Sequence, residues 1–503
     1  MLIGLDYGTT TSLAISWLDG RPHDEGRILS SVYICNDGKL FTDETAYRNR
    51  TSSDGRFVRS PKSKLHNHEQ EAQQLVCATL VSLFSNLNLA EKEDVKITLT
   101  VPNAWKDQHY VDMRNCVYEA AEQALGHRFD KDNFTIIPEP VAAALHFIVN
   151  KRMDGDKDTN YVVVCDIGGG TTDLAVVKCE KYREPDGIDL VFEVACPMDG
   201  DPKLGGDNFD EALMKYLLPD GVPAGVPEYV VWNSIKVLKS QLSTQDFAQI
   251  PLMKADGTVL LDAHRRPKLL KCTRTEFEGL IKEYLNRLTT MLNILANKLQ
   301  NYDSTCDLSQ VYLLPVGGSC RIPAIRETLK KVFNAMLCDM VNETEESFDS
   351  IASGAAFYSA WLAQKVSGYR AIEITNRLPH RLAIKHGDNA LETWVPKNSP
   401  DGKYSPKMLH PIHMNPGGET FQIGKIQFFQ GDGDFILENR NEHLKCADIT
   451  IDEPIYAHGR RTEDIPVRLE VIIEQSRIHE VVITVDGGRE NGRDFKFTKK
   501  IDG

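Results

Sequence analysis

The apolar and polar residues of the chain follow two different patterns. Up to about Lys365, amphipathic stretches with a 3.6-residue period alternate with short apolar runs, which predicts helices and strands in one α/β domain. From Ala371 onward that period is lost, and Pro and Gly separate short alternating runs. We therefore predict an α/β domain at 1–365, a linker at 366–375 and an all-β sandwich domain at 376–503.

Individual elements are predicted where each period is clearest. Amphipathic helices are expected at 69–87, 108–125, 234–242 and 274–300. A last helix, which contains Gly354, is expected to end near Lys365. Strands are expected at 95–101, 134–137 and 311–316 in the α/β domain, and at 421–423, 425–429, 467–473 and 481–485 in the all-β domain.

The most informative stretch is Tyr161–Val177, in which an apolar run, a glycine-rich turn and a second β-type run follow one another. This order predicts a hairpin whose turn binds phosphate, because glycines let backbone N–H groups approach an anion and threonines add hydroxyl donors. Asp166 and Asp173 flank the turn and can hold Mg²⁺ through its water shell. The alternative is a glycine-rich hairpin with incidental acidic residues. The turn itself consists of Gly168, Gly169, Gly170, Thr171 and Thr172.

A second stretch, Leu2–Ile15, has the same order of apolar run, aspartate, glycine, threonines and β-type run. Either hairpin alone is weak evidence for a nucleotide site. The pair predicts a duplicated architecture in which two hairpins face each other and hold the phosphates of one nucleotide. The polar and glycine residues of this first hairpin are Asp6, Gly8, Thr9 and Thr10.

Three further segments carry candidate residues, each with a simpler structural interpretation. Lys62 is a candidate phosphate-facing cation, although the residues alone favour a solvated lysine. Glu139 follows a strand and precedes an alanine-rich helix, where a carboxylate can orient an attacking water or merely favour the helix amino terminus. Gly205 and Gly206 precede a helix whose amino terminus can bind an anion.

Two later segments are candidates for contacts with the ribose or base of a nucleotide. One lies on or near one side of the predicted helix at 234–242, where water is the favoured partner on pattern alone, and consists of Lys236, Lys239 and Ser243. In the other, glycines would let the backbone approach a ligand and a guanidinium can stack on a base. Its residues are Gly317, Gly318, Ser319 and Arg321.

Composition and charge argue against several classes of protein. The 503 residues are 41% hydrophobic and 26% charged, and a formal net charge of −14 argues against a broad nucleic-acid-binding surface. No run approaches the roughly 18 apolar residues of a membrane span, and the first residues lack the features of a signal peptide. The cysteines contain no C-x-x-C pair, so free thiols in a reducing cytoplasm are expected.

Two histidine pairs have a spacing that a metal site can use, His66 with His68 and His410 with His413. Each pair lies in a polar or proline-rich stretch. Solvated loops are therefore favoured over metal sites.

Several motifs follow one another along the chain: LIGLDYGTTTS, LTVPNAW, IIPEPVAAAL, VVVCDIGGGTTDLAVV, LGGDNFD, LLPVGGSCRIPAI and SGAA. Their order resembles that of the nucleotide-binding domain of the seventy-kilodalton heat-shock (DnaK-type) chaperone family, within the actin-like ATPase superfamily. The resemblance covers about 1–365 and, more faintly, the substrate-binding β-sandwich of that family. It implies an α/β actin-like, two-lobed ATPase domain that uses ATP or ADP with Mg²⁺, followed by an all-β sandwich.

The resemblance also implies roles for individual residues. The catalytic residues that it implies are Lys62, Glu139, Asp166, Asp173 and Thr171. The residues that the resemblance implies as holding Mg²⁺ through its water shell are Asp6, Asp166 and Asp173. Those that it implies for the nucleotide are Asp6, Gly8, Thr9, Thr10, Gly168, Gly169, Gly170, Thr172, Gly205, Gly206, Lys239, Ser243, Gly317, Gly318, Ser319 and Arg321. Hydrolysis would then use oriented water, metal charge and backbone donors rather than a covalent intermediate.

Three features depart from the family pattern. Lys236 stands where the family commonly has an acidic residue, which puts the ribose contacts in doubt. The leucine-rich acidic linker is replaced by residues 368–375, in which Ile372 and Ile374 are the candidates for docking. The sequence stops after the predicted sandwich without a helical lid, so we expect a cleft that releases peptides quickly.

We therefore expect an ATP-hydrolysing, chaperone-like protein whose nucleotide state controls polypeptide binding by a lidless β-sandwich. The expected partners are a polypeptide client or one dedicated protein, with a J-domain co-chaperone and a nucleotide-exchange factor, and neither nucleic acid nor a membrane. One alternative is a slow ATPase that acts as a switch or adaptor for a dedicated partner. Another is a small-molecule kinase, which the lack of an evident sugar site in the sandwich disfavours.

Overall fold

The computed structural model describes two compact units of the chain. The first comprises Met1–Pro102 and Asn115–Glu373, and the second comprises Asn103–Arg114 and Ile374–Gly503. The division after Glu373 lies beyond the predicted domain end at 365, and the sequence gives no sign that Asn103–Arg114 belongs with the second unit. The described residues are 1–503 apart from 51, 66–69, 93, 104, 106, 152–158, 199, 255, 336–345, 376–381, 387–391, 397–398, 400–401, 410–412, 415–418, 424, 432–442, 462–463, 475–476 and 502–503.

Strands and helices alternate as far as Thr375. The strands are β1 (Leu2–Tyr7), β2 (Thr11–Leu18), β3 (Arg21–Leu29), β4 (Val32–Cys35), β5 (Leu40–Thr42), β6 (Gly55–Val58), β7 (Lys96–Val101), β8 (Phe134–Pro138), β9 (Thr159–Ile167), β10 (Thr172–Glu184), β11 (Gly187–Pro197), β12 (Phe247–Pro251), β13 (Leu269–Thr273), β14 (Tyr312–Val316) and β15 (Tyr369–Thr375). The helices are α1 (Asp43–Asn49), α2 (Pro61–Lys64), α3 (Gln70–Asn86), α4 (Asp107–Leu125), α5 (Glu139–Lys151), α6 (Gly206–Leu217), α7 (Glu228–Leu242), α8 (Arg274–Leu280), α9 (Lys282–Tyr302), α10 (Pro323–Phe333) and α11 (Glu346–Leu362).

The first unit contains two five-stranded sheets built in the same way. Their strand orders are β3-β2-β1-β7-β8 and β14-β9-β10-β11-β15. In each sheet the first hairpin strand pairs antiparallel with the next strand and parallel with a later one, β1 with β2 and β7, and β9 with β10 and β14. This duplicated α/β architecture confirms the predicted actin-like fold class of the first domain.

Helices α5 and α11 pack against each other and against the sheets at positions that only glycine fits. A Cβ atom at Gly354 in α11 would lie 1.9 Å from the carbonyl oxygen of Ala142 in α5. A Cβ atom at Gly4 in β1 would lie 2.0 Å from the carbonyl oxygen of Ala352 in α11. The backbones therefore approach closely, and small residues at the contact are a condition of the fold.

The helix predicted at 274–300 is in fact two helices, α8 and α9. The chain leaves the helical conformation at Ile281, whose φ and ψ are −94° and 7°. Phe277, Ile281 and Leu288 are all buried, so the apolar face continues across the break. Periodicity alone could not reveal the break, because the spacing of apolar residues is preserved through it.

Most of the predicted linker forms strand β15, which lies at the edge of the second sheet beside β11. Ile188 N–H donates to the carbonyl oxygen of Gly368 at 3.0 Å, and Arg370 Nε donates to Asp189 Oδ1 at 2.8 Å. Ile372 is only 4% exposed. The segment that leads to the second unit is thus bound to the first unit through backbone pairing, the ion pairs of Arg370 with Asp189 and Asp186, and the buried side chain of Ile372.

The second unit is built from antiparallel strands around one apolar core. Residues of both of its four-stranded sheets contribute to that core, for example Phe428 and Val481, which is the arrangement of a sandwich. Its sheets have the orders β17-β16-β21-β22, β18-β24-β25-β26 and β19-β20-β23. The strands are β16 (Leu382–His386), β17 (Glu392–Val395), β18 (Gly402–Leu409), β19 (His413–Met414), β20 (Thr420–Gln422), β21 (Ile426–Gly431), β22 (His443–Ile449), β23 (Ile455–Tyr456), β24 (Val467–Glu474), β25 (Arg477–Val485) and β26 (Phe495–Lys500).

The four runs predicted as strands in this unit correspond to β20, β21, β24 and β25, which confirms the all-β class. Among the described residues no helix is long and apolar enough to span a membrane. The cysteines that the structure describes are free thiols, and most are buried. His66, His68, His410 and the side chain of His413 lie outside the described residues.

The close contact between α5 and α11 generates a stability prediction. Gly354→Ala should lower the free energy of unfolding of the first unit by about 2 kcal/mol or more, because the new methyl group forces two backbones apart. Gly279→Ala is the matched control, since Gly279 is exposed on α8 with open space around it, and it should be neutral or stabilising by about 0.5 kcal/mol. Urea denaturation followed by circular dichroism measures both. Equal stability of the two variants would contradict the close packing.

Candidate nucleotide site

The two predicted hairpins are present and occupy equivalent places in the two sheets. Asp6 and Asp166 are each the last residue but one of their strands, β1 and β9. Asp173 lies directly opposite Asp166 in the pairing of β9 with β10, so both carboxylates lie on one face. Gly168 N–H donates to the carbonyl oxygen of Thr171 at 3.0 Å and closes the second turn.

The turns of the two hairpins touch each other. A Cβ atom at Gly169 would lie 2.5 Å from Thr10 Oγ1, and one at Gly170 would lie 2.9 Å from Thr9 Cγ2. Any side chain at these two positions would displace the opposite turn, so the close approach requires glycine. The two hairpins therefore face each other, as their repeated sequence pattern predicts.

The amino terminus of α6 is bound to the second turn. Gly206 N–H and Asp207 N–H donate to the carbonyl oxygens of Gly168 and Gly169 at 3.0 and 2.7 Å. A Cβ atom at Gly205 would lie 2.6 Å from the Gly169 oxygen. These two N–H groups are engaged within the site, and a phosphate contact of this loop stays a prediction.

The loop after β14 closes over the same turn. Gly317 has a φ of 82°, and a Cβ atom there would lie 2.7 Å from Asp166 Oδ1. Ser319 Oγ donates to the carbonyl oxygen of Gly168 at 2.8 Å. Gly318 and Arg321 are the first and last residues of a short 3-10 helix. Three loops of the first unit, the turn of the first hairpin and those before α6 and after β14, thus meet at the glycine turn.

Lys239 connects α7 to α6 beside this turn. Its ammonium donates to the carbonyl oxygen of Gly206 and pairs with Asp210 Oδ1, each at 2.8 Å. Burial raises the pKa of Asp210, and the charge of Lys239 opposes that shift. Ser243 Oγ donates to the carbonyl oxygen of Lys239 at 3.3 Å, within the same helical segment. Lys239 therefore lies at the site, and the Ser243 hydroxyl has a local partner.

Thr172, the last residue of the predicted turn, has its hydroxyl bonded within the protein. It is fully buried, and its hydroxyl donates to the carbonyl oxygen of Leu204 at 2.7 Å. Successive residues of a strand point to opposite faces, so Thr172 points away from the face that carries Asp173. The role predicted for Thr172 in nucleotide binding stays a prediction. The hydroxyl anchors the segment that precedes α6.

Lys62 and Glu139 form a buried ion pair with 2.9 Å between Nζ and Oε1. Each residue is 7% exposed, so the interpretation of Lys62 as solvated is wrong. Burial works against the charged lysine, but the carboxylates of Glu139 and Asp6 outweigh it and raise the pKa of Lys62. Glu139 is the first residue of α5, directly after β8, which is the strand-to-helix corner that the sequence predicts.

The carboxylates around this pair repel one another. Burial raises the pKa of Asp6 to about 7 and that of Asp173 to about 6, and the charge of Glu139 adds to both shifts while Lys62 opposes them. Burial is the main cause that raises the pKa of Asp166 well above its ordinary value, and the charges of Glu139, Asp173 and Asp6 add to the shift. The site therefore carries more negative charge than Lys62 neutralises.

This donor set fits Mg²⁺ held through its water shell. Mg²⁺ prefers oxygen ligands and keeps several of its waters, and a divalent cation would relieve the repulsion. In the described part of the chain, no group of three or more His, Cys, Asp and Glu side chains is arranged to bind a metal ion directly. The chemistry suits a contact through water, and the residues predicted for it are Asp6, Asp166 and Asp173.

Two sets of contacts at the site escaped sequence reasoning, one at Asp207 and the other at Asp173. Arg59 Nη2 lies 2.5 Å from Asp207 Oδ1, and Thr10 Oγ1 lies 3.4 Å from Asp207 Oδ2. A Cβ atom at Gly200 would lie 2.2 Å from Asp173 Oδ1, so the backbone passes directly beside that carboxylate. Neither contact has a local sequence signal, because its partners are far apart along the chain.

Known proteins resemble this chain over much of its length. The family model described as Hsp70 protein matches residues 61–471. A chaperone protein DnaK of Metamycoplasma hominis is 26% identical over 426 residues, which cover 79% of this chain and 64% of that protein. A chaperone protein dnaK of Guillardia theta is 28% identical over 321 residues, which cover 61% of this chain and 45% of that protein. The chain spans less than two thirds of the length of either relative.

The raised carboxylate pKa values generate a pH prediction for the nucleotide-free protein. A carboxyl whose pKa rises from 3.8 to about 7 on folding binds its proton more tightly in the folded state. The free energy of unfolding should therefore fall as the pH rises from about 4 to about 7. Asp6→Asn should reduce this dependence, and the exposed Asp220→Asn should leave it unchanged.

Thermal unfolding midpoints measured across that pH range give the comparison. If wild type and Asp6→Asn show the same slope, Asp6 does not carry a raised pKa in the folded protein.

Proposed function

Because the chain belongs to the Hsp70 family, we propose that its first unit binds ATP or ADP with Mg²⁺ and hydrolyses ATP, and that the bound nucleotide controls polypeptide binding by its second unit. The observation that carries the proposal is the contact between two glycine- and threonine-containing turns beside the buried pair of Lys62 and Glu139. Such a contact between duplicated hairpins suits a nucleotide whose phosphates are held from both sides.

Each group at the site has a part in the proposed reaction. The N–H groups of 168–170 and the hydroxyls of the opposite turn bind phosphate oxygens. Glu139 orients the attacking water and accepts its proton, while Lys62 keeps Glu139 in place and offsets charge that develops on the phosphate. The hydroxyl of Thr171 bonds to Asp173 and holds that carboxylate in position. Mg²⁺, when bound, supplies positive charge at the phosphates.

The proposed partners follow from the family. We propose a polypeptide client for the second unit, and a J-domain co-chaperone and a nucleotide-exchange factor for the first. The buried free thiols suit a reducing compartment such as the cytoplasm.

The coupling between nucleotide and polypeptide is proposed to run through β15. This strand belongs to the same sheet as the glycine turn, separated from β10 by β11 alone. Adding a strand to a sheet edge is a reversible form of docking that uses main-chain hydrogen bonds and pockets for alternate side chains. We propose that Ile372 fills such a pocket and that nucleotide exchange changes the fraction of molecules in which β15 is paired with β11.

The catalytic proposal predicts the effect of removing the buried cation. Lys62→Met should lower kcat for ATP hydrolysis at least about 100-fold, because the carboxylate that activates water loses its partner. Lys64→Met, two residues further along α2, is the matched control and should keep wild-type activity. Phosphate release measures the rate, and calorimetric ADP binding shows that each variant is folded. Full hydrolysis by Lys62→Met and by Asp166→Ala would refute the proposed site.

The coupling proposal predicts a separation of activities. Ile372→Asp should release β15, since a buried charge without a partner is unfavourable. ATP hydrolysis should then continue while ATP no longer changes the affinity for a fluorescent apolar peptide. Glu373→Ala, on the exposed side of the same strand, is the control and should retain the coupling.

Hydrogen exchange of the amides at 369–375 provides the direct measurement for this strand. Coupling that survives in Ile372→Asp would contradict the role of β15. Capture of one folded protein, without affinity for short apolar peptides, would favour a dedicated adaptor over a chaperone.

A further inference from the structure

We propose that the nucleotide site of this chain prefers nucleotides that carry an additional phosphate on the ribose, and that Lys236 and Tyr47 recognise that phosphate. The inference rests on the proposed nucleotide binding and adds a substrate class to it.

Lys236 and Tyr47 lie near the start of α6, on two different helices of the first unit. Lys236 is on α7, and its Nζ lies 4.9 Å from the centre of the Tyr47 ring on α1. Lys239, three residues later on α7, donates to the carbonyl oxygen of Gly206 next to the turn. Three residues of helix span roughly 4.5 Å. Lys236 and Lys239 both stabilise the ionised carboxylate of Asp210, so the ammonium of Lys236 lies near the start of α6, to one side of the contact that Lys239 makes with Gly206.

The Tyr47 hydroxyl is buried without a hydrogen-bond partner among the described residues. The residue is 7% exposed. Burial raises the pKa of this hydroxyl, the charges of Arg50 and Arg59 lower it, and those of Asp207 and Asp210 raise it. The hydroxyl thus lies among the charged groups around the start of α6. A buried hydroxyl donor that lacks an acceptor is costly, so a ligand atom is expected to complete it.

The neighbouring arginines have carboxylate partners, whereas Lys236 has none among the described residues. Arg50 pairs with Glu228 at 2.9 Å and Arg59 pairs with Asp207 at 2.5 Å. In the part of the chain that the structure describes, no carboxylate lies within ion-pairing distance of Lys236. Its charge stabilises ionised Asp210 from a distance, but Asp210 is bound to Lys239. Lys236 is thus a cation whose charge no contacting side chain neutralises.

These two donors together define the chemistry of the missing partner. A ribose hydroxyl is neutral and would leave the ammonium charge uncompensated. A phosphate oxygen accepts hydrogen bonds from an ammonium and a phenol together and neutralises the charge, and such charge-assisted bonds are about twice as strong as neutral ones. A phosphate on the 2′ or 3′ oxygen of the ribose is the group that a nucleotide can place there.

Calorimetry with Mg²⁺ present compares ADP with its 3′-phosphorylated and 2′-phosphorylated derivatives. At least one derivative should bind wild type about tenfold more tightly than ADP. The dissociation constant of ADP divided by that of the tighter-binding derivative should fall to about one in Lys236→Gln and stay high in Lys236→Arg. It should fall in part in Tyr47→Phe, which keeps the ring. Arg48→Gln is the matched control, because Arg48 is an exposed cation on α1 paired with Glu44.

Each outcome decides between the alternatives. Equal affinity of wild type for ADP and both derivatives would overturn the inference, with Lys236 serving only to hold α7 against Tyr47. A preference that Lys236→Gln retains, or that Arg48→Gln lowers equally, would also overturn it. If wild type binds none of the three nucleotides, the proposed function itself fails. Should Lys236→Gln not fold, Lys236→Arg and Tyr47→Phe still measure the ratio.

Discussion

The buried ion pair of Lys62 and Glu139 is the interaction on which the proposed chemistry of the first unit depends. Removing two charges from water is costly, and the cost is recovered only when the pair is close and further charges support it. Here Asp6 and Asp173 add attraction for the lysine while each of them repels Glu139. The pair is therefore stable as part of a cluster, and the cluster is held together by the two sheets that carry its members.

Close backbone contacts bring those members together. The glycines of the second turn lie against the first turn, and two further loops approach that hairpin, one at Gly200 and Gly205 and the other at Gly317. The same device operates between α5 and α11, where Gly354 lets two helices approach. A side chain at any of these positions would separate elements that must be within hydrogen-bonding distance of one ligand. The duplicated sheets supply the frame, and the glycines set the spacing.

The second sheet connects this site to the chain that leads to the second unit. The turn lies between β9 and β10, β11 pairs with β10, and β15 lies beside β11. The ion pair of Arg370 with Asp189 and the buried Ile372 fix β15 there. Hydrogen-bonded strands move together more readily than side chains in separate layers, which gives the nucleotide site and the edge strand a physical connection.

The sequence by itself determined the two hairpins, the change from α/β to all-β architecture and the corner that carries Glu139, because each depends on residues that are near neighbours. The tertiary structure decided the rest. It buried Lys62, turned the Thr172 hydroxyl toward Leu204, broke the predicted helix at Ile281 and added β15 to a sheet. Each of these depends on a partner far along the chain, and local periodicity carries no record of such a partner.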